Sequence, residues 1–246
     1  MKTLGIGPRL PRRGTARRSW NTGNDNNCVL LLHGGGTNGT KDAWADKSTS
    51  GAQQTLNFAA NVNWSNSKQY FGLNSVYFPG GSSNQITPSP IYNSCFNFLT
   101  GEFDLAVMFY PISSSGHIFG WYHSSAVQFN GLYMSGGSAG LYYDISGNGL
   151  SLSWTPTLNA WNQGRLMRDG NTLRAYMNGS QVGSVDVTGR TLNCNSGVGW
   201  CMGDSWNVTG SPWNGYINEV YMSNICRIRG GASYALPSVP YGPDAR

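Results

Sequence analysis

The chain has 246 residues, of which 34 are glycine, 13% are aromatic and only 11% are charged. That length can bury a full core and the aromatic content excludes a chain disordered throughout, which leaves a turn-rich β protein solvated by Asn, Ser, Thr and Gln. Its net charge of +5 sits at the start, where Lys2, Arg9, Arg12, Arg13, Arg17 and Arg18 face Asp25 alone, while the basic and acidic residues of 28–246 balance.

Residues 1–27 therefore read as a basic extended arm that docks on an acidic protein surface. Trp20 is its one aromatic residue, so the stacking ladder of a single-strand nucleic-acid binder is missing and no direct nucleic-acid role is expected. The opening "MKTLGIGPRLPRRGTARR" has no apolar signal core and no later run is long enough to span a membrane, so synthesis in a cytoplasm and no membrane partner are expected.

Cys28 to His33 is an apolar run of strand length. Gly34-Gly35-Gly36-Thr37-Asn38-Gly39 follows it and matches G-x-G-x-x-G. A phosphate loop needs Gly-Lys-Ser/Thr, whereas Thr40-Lys41 has the wrong order, and the next segment lacks the apolar stripe of a dinucleotide-fold helix. A glycine turn between strands is expected here.

Leu56–Ala60, Ser75–Phe78 and Gln85–Thr87 are the next strands. Phe103 to Tyr110 is a central strand covered on both faces, ended by Pro111. Ile118–Tyr122, Ala126–Phe129, Leu132–Met134, Leu141–Ile145 and Leu150–Trp154 continue the cadence of short strands and Gly/Ser/Asn turns. Gly164–Arg168, Thr172–Met177 and Gln181–Val185 form two hairpins around Asp169-Gly170-Asn171 and Asn178-Gly179. In the last strand, Trp213, Gly215, Ile217, Glu219 and Tyr221 alternate with Asn214, Tyr216, Asn218, Val220 and Met222, which predicts a half-buried strand. No helix is predicted. Residues 28–234 make one domain, and the Pro-rich 235–246 forms an extended tail over a neighbour or over the domain.

Catalytic patterns are weak. Gly136-Gly137-Ser138-Ala139-Gly140 fits G-x-S-x-G, but a strand rather than a helix follows it, so a hairpin loop is expected. Glu102 and Glu219 are the chain's two glutamates, without the close acidic pair that glycoside hydrolysis uses. His33, His117 and His123 lack zinc spacing. Cys28, Cys95, Cys194, Cys201 and Cys226 are read as mostly reduced, with a Cys194–Cys201 bridge as a minority reading. No enzyme activity is expected.

The stretches "CVLLLHGGGTNGT", "FGLNSVYFPGGSSNQIT", "RLMRDGNTLRAYMNGSQVGS", "GDSW" and "WNGYINEVYMSN", in that order, resemble the laminin-G-like branch of the concanavalin A-like lectin/glucanase superfamily. The closing "YINEVYMSNICRIRGGASYALPSVPY" is similar to such domains in bacteriophage virion proteins. The resemblance implies an all-β, two-sheet antiparallel jelly-roll sandwich, here with extended N- and C-terminal arms. It further implies a virion location and a capsid decoration or cement protein. In that reading Arg9, Arg12, Arg13, Arg17 and Arg18 anchor to a major capsid protein or another virion protein, the tail clasps a neighbour, and the chain forms a homo-oligomer such as a trimer.

The alternative is a carbohydrate-binding module, with Trp121, Tyr122, Trp200, Asp204, Trp206 and Trp213 as glycan-binding candidates near the family's ligand edge. Against it stands a core or interface role for the tryptophans, which the sequence favours. Similar domains hold calcium on carboxylates, yet this chain has Gly35 and Asn218 where acids are common. Asp42, Asp46 and Asp204 are the remaining oxygen donors, and no cofactor is expected.

Overall fold

The computed structural model describes residues 25–49, 53–90, 94–123, 128–135, 138–145, 148–191, 199–204 and 211–241. Among them the strands are β1 (Cys28–Leu32), β2 (Thr55–Phe58), β3 (Asn63–Tyr70), β4 (Leu73–Pro79), β5 (Ile86–Ser89), β6 (Phe103–Pro111), β7 (Gly116–His123), β8 (Gln128–Ser135), β9 (Ser138–Ile145), β10 (Asn148–Trp154), β11 (Asn162–Asp169), β12 (Thr172–Met177), β13 (Ser180–Asp186), β14 (Trp200–Met202) and β15 (Asn214–Ser223). One antiparallel sheet runs β13-β12-β11-β6-β15-β4-β3, with β1 also paired to β15; the other runs β10-β9-β8-β7-β14-β5-β2. The fold is the all-β sandwich that the strand cadence predicted and the jelly roll that the resemblance implied.

One phase of each central strand builds the core. Phe103, Leu105, Val107 and Phe109 of β6 meet Ile118, Phe119, Leu132 and Met134 from the opposite sheet. In β15 the register shifts between Ile217 and Glu219. This bulge breaks strict alternation, so Ile217, Val220 and Met222 all join the core while Tyr221 packs on the outer face with Cys28, Leu31, Ala106 and Tyr241. A bulge places one extra residue in a strand, which exchanges the faces of everything beyond it. The simple alternation read from the sequence fails there.

The outer face of the first sheet is not left to water. Residues 224–241 lie across it, so β15, predicted to be half buried, is buried on both faces. Cys226, Ile228 and Tyr234 pack on Met167 and Tyr176. Beneath them Arg165 meets Asp104 through Nε at 2.7 Å and Nη2 at 2.5 Å, and the Tyr234 ring covers the guanidinium at 4.9 Å. Gln163 is held at both ends of its amide: Nε2 donates to the Tyr241 hydroxyl at 2.6 Å and Oε1 accepts from the Tyr234 hydroxyl at 2.5 Å. The tail up to Tyr241 thus packs on its own domain, where these polar partners and apolar pockets lie. At the other end Asp25 receives two bonds from Arg227, so the chain is tied down from Asp25, three residues before the predicted start of the domain.

The turns follow the glycines with one shift. Met177 pairs with Ser180, and Asn178 and Gly179 have φ of 49° and 83°, the positive pair of a type I′ turn. In the preceding hairpin Asp169 pairs with Thr172, so the corner is Gly170-Asn171 rather than Asp-Gly. The two predicted strands around residues 126–134 are one, β8, while the polar β3 and the short β14 were not foreseen. Ser138 pairs with Ser135 and opens β9, so no helix follows this serine and the hydrolase-elbow geometry is absent. The glycine run after β1 is a packing device. A Cβ on Gly36 would overlap the Trp64 ring, and one on Gly34 would overlap the Asn218 amide, which leaves no cradle for a phosphate.

Candidate functional site

The outer face of the first sheet carries a ladder of aromatic rings at the end that residues 224–241 leave uncovered. Tyr77 on β4 stands opposite Tyr216 on β15, and Tyr216 stands opposite Tyr110 on β6. Asn162 pairs with Phe109, so Trp161, one residue before β11, continues the row. Side chains directly opposite on adjacent strands project from the same face and touch. Centroid separations are 4.8 Å for Tyr77–Tyr216, 6.0 Å for Tyr216–Tyr110 and 5.7 Å for Tyr110–Trp161. At about 4.8 Å per strand spacing the row covers roughly 15 Å.

The β3–β4 hairpin arches back over one end of this row. Tyr70 packs on Trp161 at 5.0 Å and on Phe71 at 4.2 Å, the Trp161 indole N–H donates to Gln69 O at 3.0 Å, and Lys68 Nζ lies 5.0 Å over the Tyr110 ring. Tyr77, Tyr70, Phe71 and Trp161 remain partly accessible, whereas Tyr110 and Tyr216 are 9% and 8% exposed. Burial raises the phenols of Tyr77 and Tyr70 above their ordinary range, with the neighbouring Tyr216 and Glu219 adding to it. Both stay neutral donors at physiological pH. The result is an aromatic surface edged by hydroxyls, amides and one ammonium. Such a surface suits the apolar faces and hydroxyl rim of sugar rings.

Beneath the hairpin, Glu219 is fully buried and accepts from His33 Nδ1 at 2.7 Å and from Gly34 N at 3.2 Å. Desolvation raises its pKa against these stabilising bonds. Glu102 lies elsewhere, bound to Arg229. Glu219 pairs with Met108, six residues along from Glu102. At about 3.3 Å per residue the two carboxylates are roughly 20 Å apart, well beyond the span across which a glycosidase pair works.

The tryptophans singled out in the sequence fall elsewhere. Trp200 is buried between Phe96 and Phe119, and Trp213 is buried against Phe78 and Phe109. Both are core rings, which removes them as glycan contacts; their large apolar surfaces fill the space between the sheets. Trp121 and Tyr122 lie in β7, where Trp121 pairs with Trp200 through the backbone. Trp206 lies outside the described residues, as do Cys194 and Arg9, Arg12, Arg13, Arg17 and Arg18. Asp204 is buried and accepts from Ser83 N at 3.2 Å, and the buried Cys201 donates through Sγ to Asp204 O at 2.9 Å.

Asp46 spends its carboxylate on the amides of Leu31, Ser48 and Gln54, and hydrogen bonds from Thr40 and Thr37 lower the pKa of the exposed Asp42. Asn218 points its amide at Leu73 O, Asn74 O and Ser75 Oγ, a donor where the resemblance implied a carboxylate. Among the described residues no three His, Cys, Asp or Glu side chains come together as a metal site.

The sequence carries one signal for the tyrosines of the ladder. In β6 and β15 the hydroxyl-bearing rings Tyr110 and Tyr216 fall in the opposite phase from Phe109 and Ile217. Their alignment with Tyr77 and Trp161 needed the strand order.

With the fold and this surface in hand, the chain is a lectin-like jelly roll. It belongs to the concanavalin A-like lectin/glucanases superfamily, whose laminin G-type family model matches residues 96–228. Tyr110, Trp161 and Tyr216 lie inside that match, while Lys68, Tyr70 and Tyr77 lie outside it. A comparison with curated proteins finds no match.

Among solved structures the chain is similar to the binding domain of Paraclostridial Mosquitocidal Protein 1, with a TM-score of 0.62 and 12% identity over 82% of this chain and 49% of that one. The receptor binding domain of botulinum neurotoxin D gives 0.61 and 14% over 85% and 50%. The botulinum neurotoxin serotype D ligand binding domain in complex with N-acetylneuraminic acid gives 0.57 and 15% over 82% and 48%. The chain spans about half the length of these structures, and at such identities the likeness is one of fold.

Proposed function

We propose that this protein is a non-enzymatic glycan-binding module that adheres to carbohydrate through the Tyr77–Tyr216–Tyr110–Trp161 ladder. The observation that carries this reading is the direct cross-strand register of four rings on a sheet face that the chain otherwise covers with its own C-terminal segment. Aromatic side chains kept in contact with water at that one end have a use beyond the core. The neuraminic acid complex of a structural neighbour makes sialylated glycans a reasonable class to include in a test.

The test is a glycan array followed by titration calorimetry on the hits. Tyr77→Ala removes a partly exposed ring from the open end of the row and is expected to weaken binding by about 1.5 kcal/mol, roughly tenfold, with the melting temperature nearly unchanged. Absence of binding to any glycan by the wild-type chain would refute the reading.

A second reading is favoured by the charge of residues 1–27, on which the whole net positive charge rests. Here the jelly roll is a bacteriophage capsid decoration or cement protein, and Arg9, Arg12, Arg13, Arg17 and Arg18 dock on an acidic capsid surface. Removing residues 1–24 should then abolish salt-sensitive cosedimentation with capsid shells while leaving glycan binding intact. The two readings are compatible, since a head-bound protein can present the ladder outward.

A further inference from the structure

We infer that the ladder selects sugars bearing a carboxylate, uronic or sialic acids, and that Lys68 is the residue that selects them; this deepens the glycan-binding reading and rests on it. Lys68 is the cation placed over the ladder, its ammonium 5.0 Å from the Tyr110 centroid, within the range at which a ring face attracts a cation. Among the described residues no ion pair involves it. Other basic side chains on the same side of the sheet are already engaged: Arg165 by Asp104, Arg174 by Asp169, Arg227 by Asp25, and Arg229 by Glu102 and Asp169. Lys68 is thus a charge held above an aromatic floor without an acid of its own.

Glu219 is an acid whose charge reaches Tyr70 of the same hairpin, and its oxygens are occupied by His33 Nδ1 and Gly34 N. It is buried while Lys68 is at the surface, so an arriving anion meets the ammonium first. Geometry sets where the charge must be. Tyr110 has the partly accessible Trp161 beside it at 5.7 Å, so a sugar ring stacked on Trp161 brings an exocyclic carboxylate beside Lys68. Neutral sugars keep the stacking and lose the ion contact. Lys68 lies outside the segment matched by the family model, so this preference is a property of the β3–β4 hairpin of this chain.

The experiment pairs acidic probes with esters that lack the charge: sialyllactose against its sialic acid methyl ester, and oligogalacturonate against its methyl ester. The full chain is expected to bind at least one acidic member about fivefold to tenfold more tightly than its neutral partner, with the difference shrinking as salt rises. Lys68→Met should erase that difference, and Lys68→Arg should retain it. Which pair shows the effect distinguishes sialic from uronic acid. Equal affinity for acidic and neutral members, or a preference that survives Lys68→Met in a protein with unaltered melting, overturns the role of Lys68 and leaves glycan binding standing. Failure of every probe and of the glycan array overturns both.

Discussion

Tyr241 is the most informative residue to perturb, because it reports whether the C-terminal segment belongs to the fold. Its ring is 3% exposed and packs on Tyr221 at 5.2 Å, among Cys28, Leu31 and Ala106. Its hydroxyl accepts from Gln163 Nε2 at 2.6 Å. Tyr241→Phe keeps the ring and leaves a fully buried amide donor unpaired, which costs about 1–2 kcal/mol. Tyr241→Ala also removes the ring, and large-to-small changes of this kind cost about 3–5 kcal/mol.

For a domain of this size 1 kcal/mol shifts the melting temperature by roughly 2–4 °C, so the alanine variant should melt on the order of 10 °C lower and the phenylalanine variant a few degrees lower. Urea denaturation followed by tryptophan fluorescence measures both. The other bond to Gln163 supplies a control: Tyr234→Phe and Tyr241→Phe combined should be non-additive, because both act on one amide. If Tyr241→Ala melts with the wild type, the segment does not dock on its own sheet in solution, and a clasp onto a neighbouring molecule returns.

Two further outcomes follow from buried charge. Asp104→Ala leaves the buried Arg165 guanidinium without its bidentate partner and should cost about 3–5 kcal/mol, while the double replacement Asp104→Leu with Arg165→Met should recover most of that loss in the same denaturation assay. His117 has its pKa pushed down to about 4 by burial, from an ordinary 6.5. The unfolded chain therefore binds this proton more readily between those values, so the stability present above pH 6.5 is lost as pH falls. At pH 4.5 the loss amounts to about 2–3 kcal/mol, and His117→Gln should remove that part of the acid sensitivity; an identical pH dependence in the variant would refute the assignment.

The glycine-punctuated, aromatic-rich strands and their turns made the sandwich legible, and β6 was rightly read as covered on both faces. Strand β3 escaped because "NWSNSKQY" carries no apolar alternation; its place comes from pairing with β4 through Asn63, Trp64 and Ser65. Trp200 and Trp213 take the core role that the sequence favoured over sugar contact, although an isolated tryptophan in a Gly/Ser-rich stretch looks the same whether it faces water or core. The actual ladder was hidden for the opposite reason. Its rings are spread over residues 77, 110, 161 and 216, and no local pattern connects positions that far apart.

Local chemistry thus determined the class of fold: periodicity two, turn residues with positive φ, and enough apolar surface for two sheets. It also determined that the excess charge lies in residues 1–27. Tertiary structure decided which strands became neighbours, and with that which rings stand in one row. It decided that the bulge after Ile217 turns Glu219 and Tyr221 to the outer face, and that the Pro-rich tail covers that face as far as Tyr241. Side-chain faces follow from the sequence only while alternation holds, whereas register and strand order are set by long-range pairing whose gain is spread over the whole sheet.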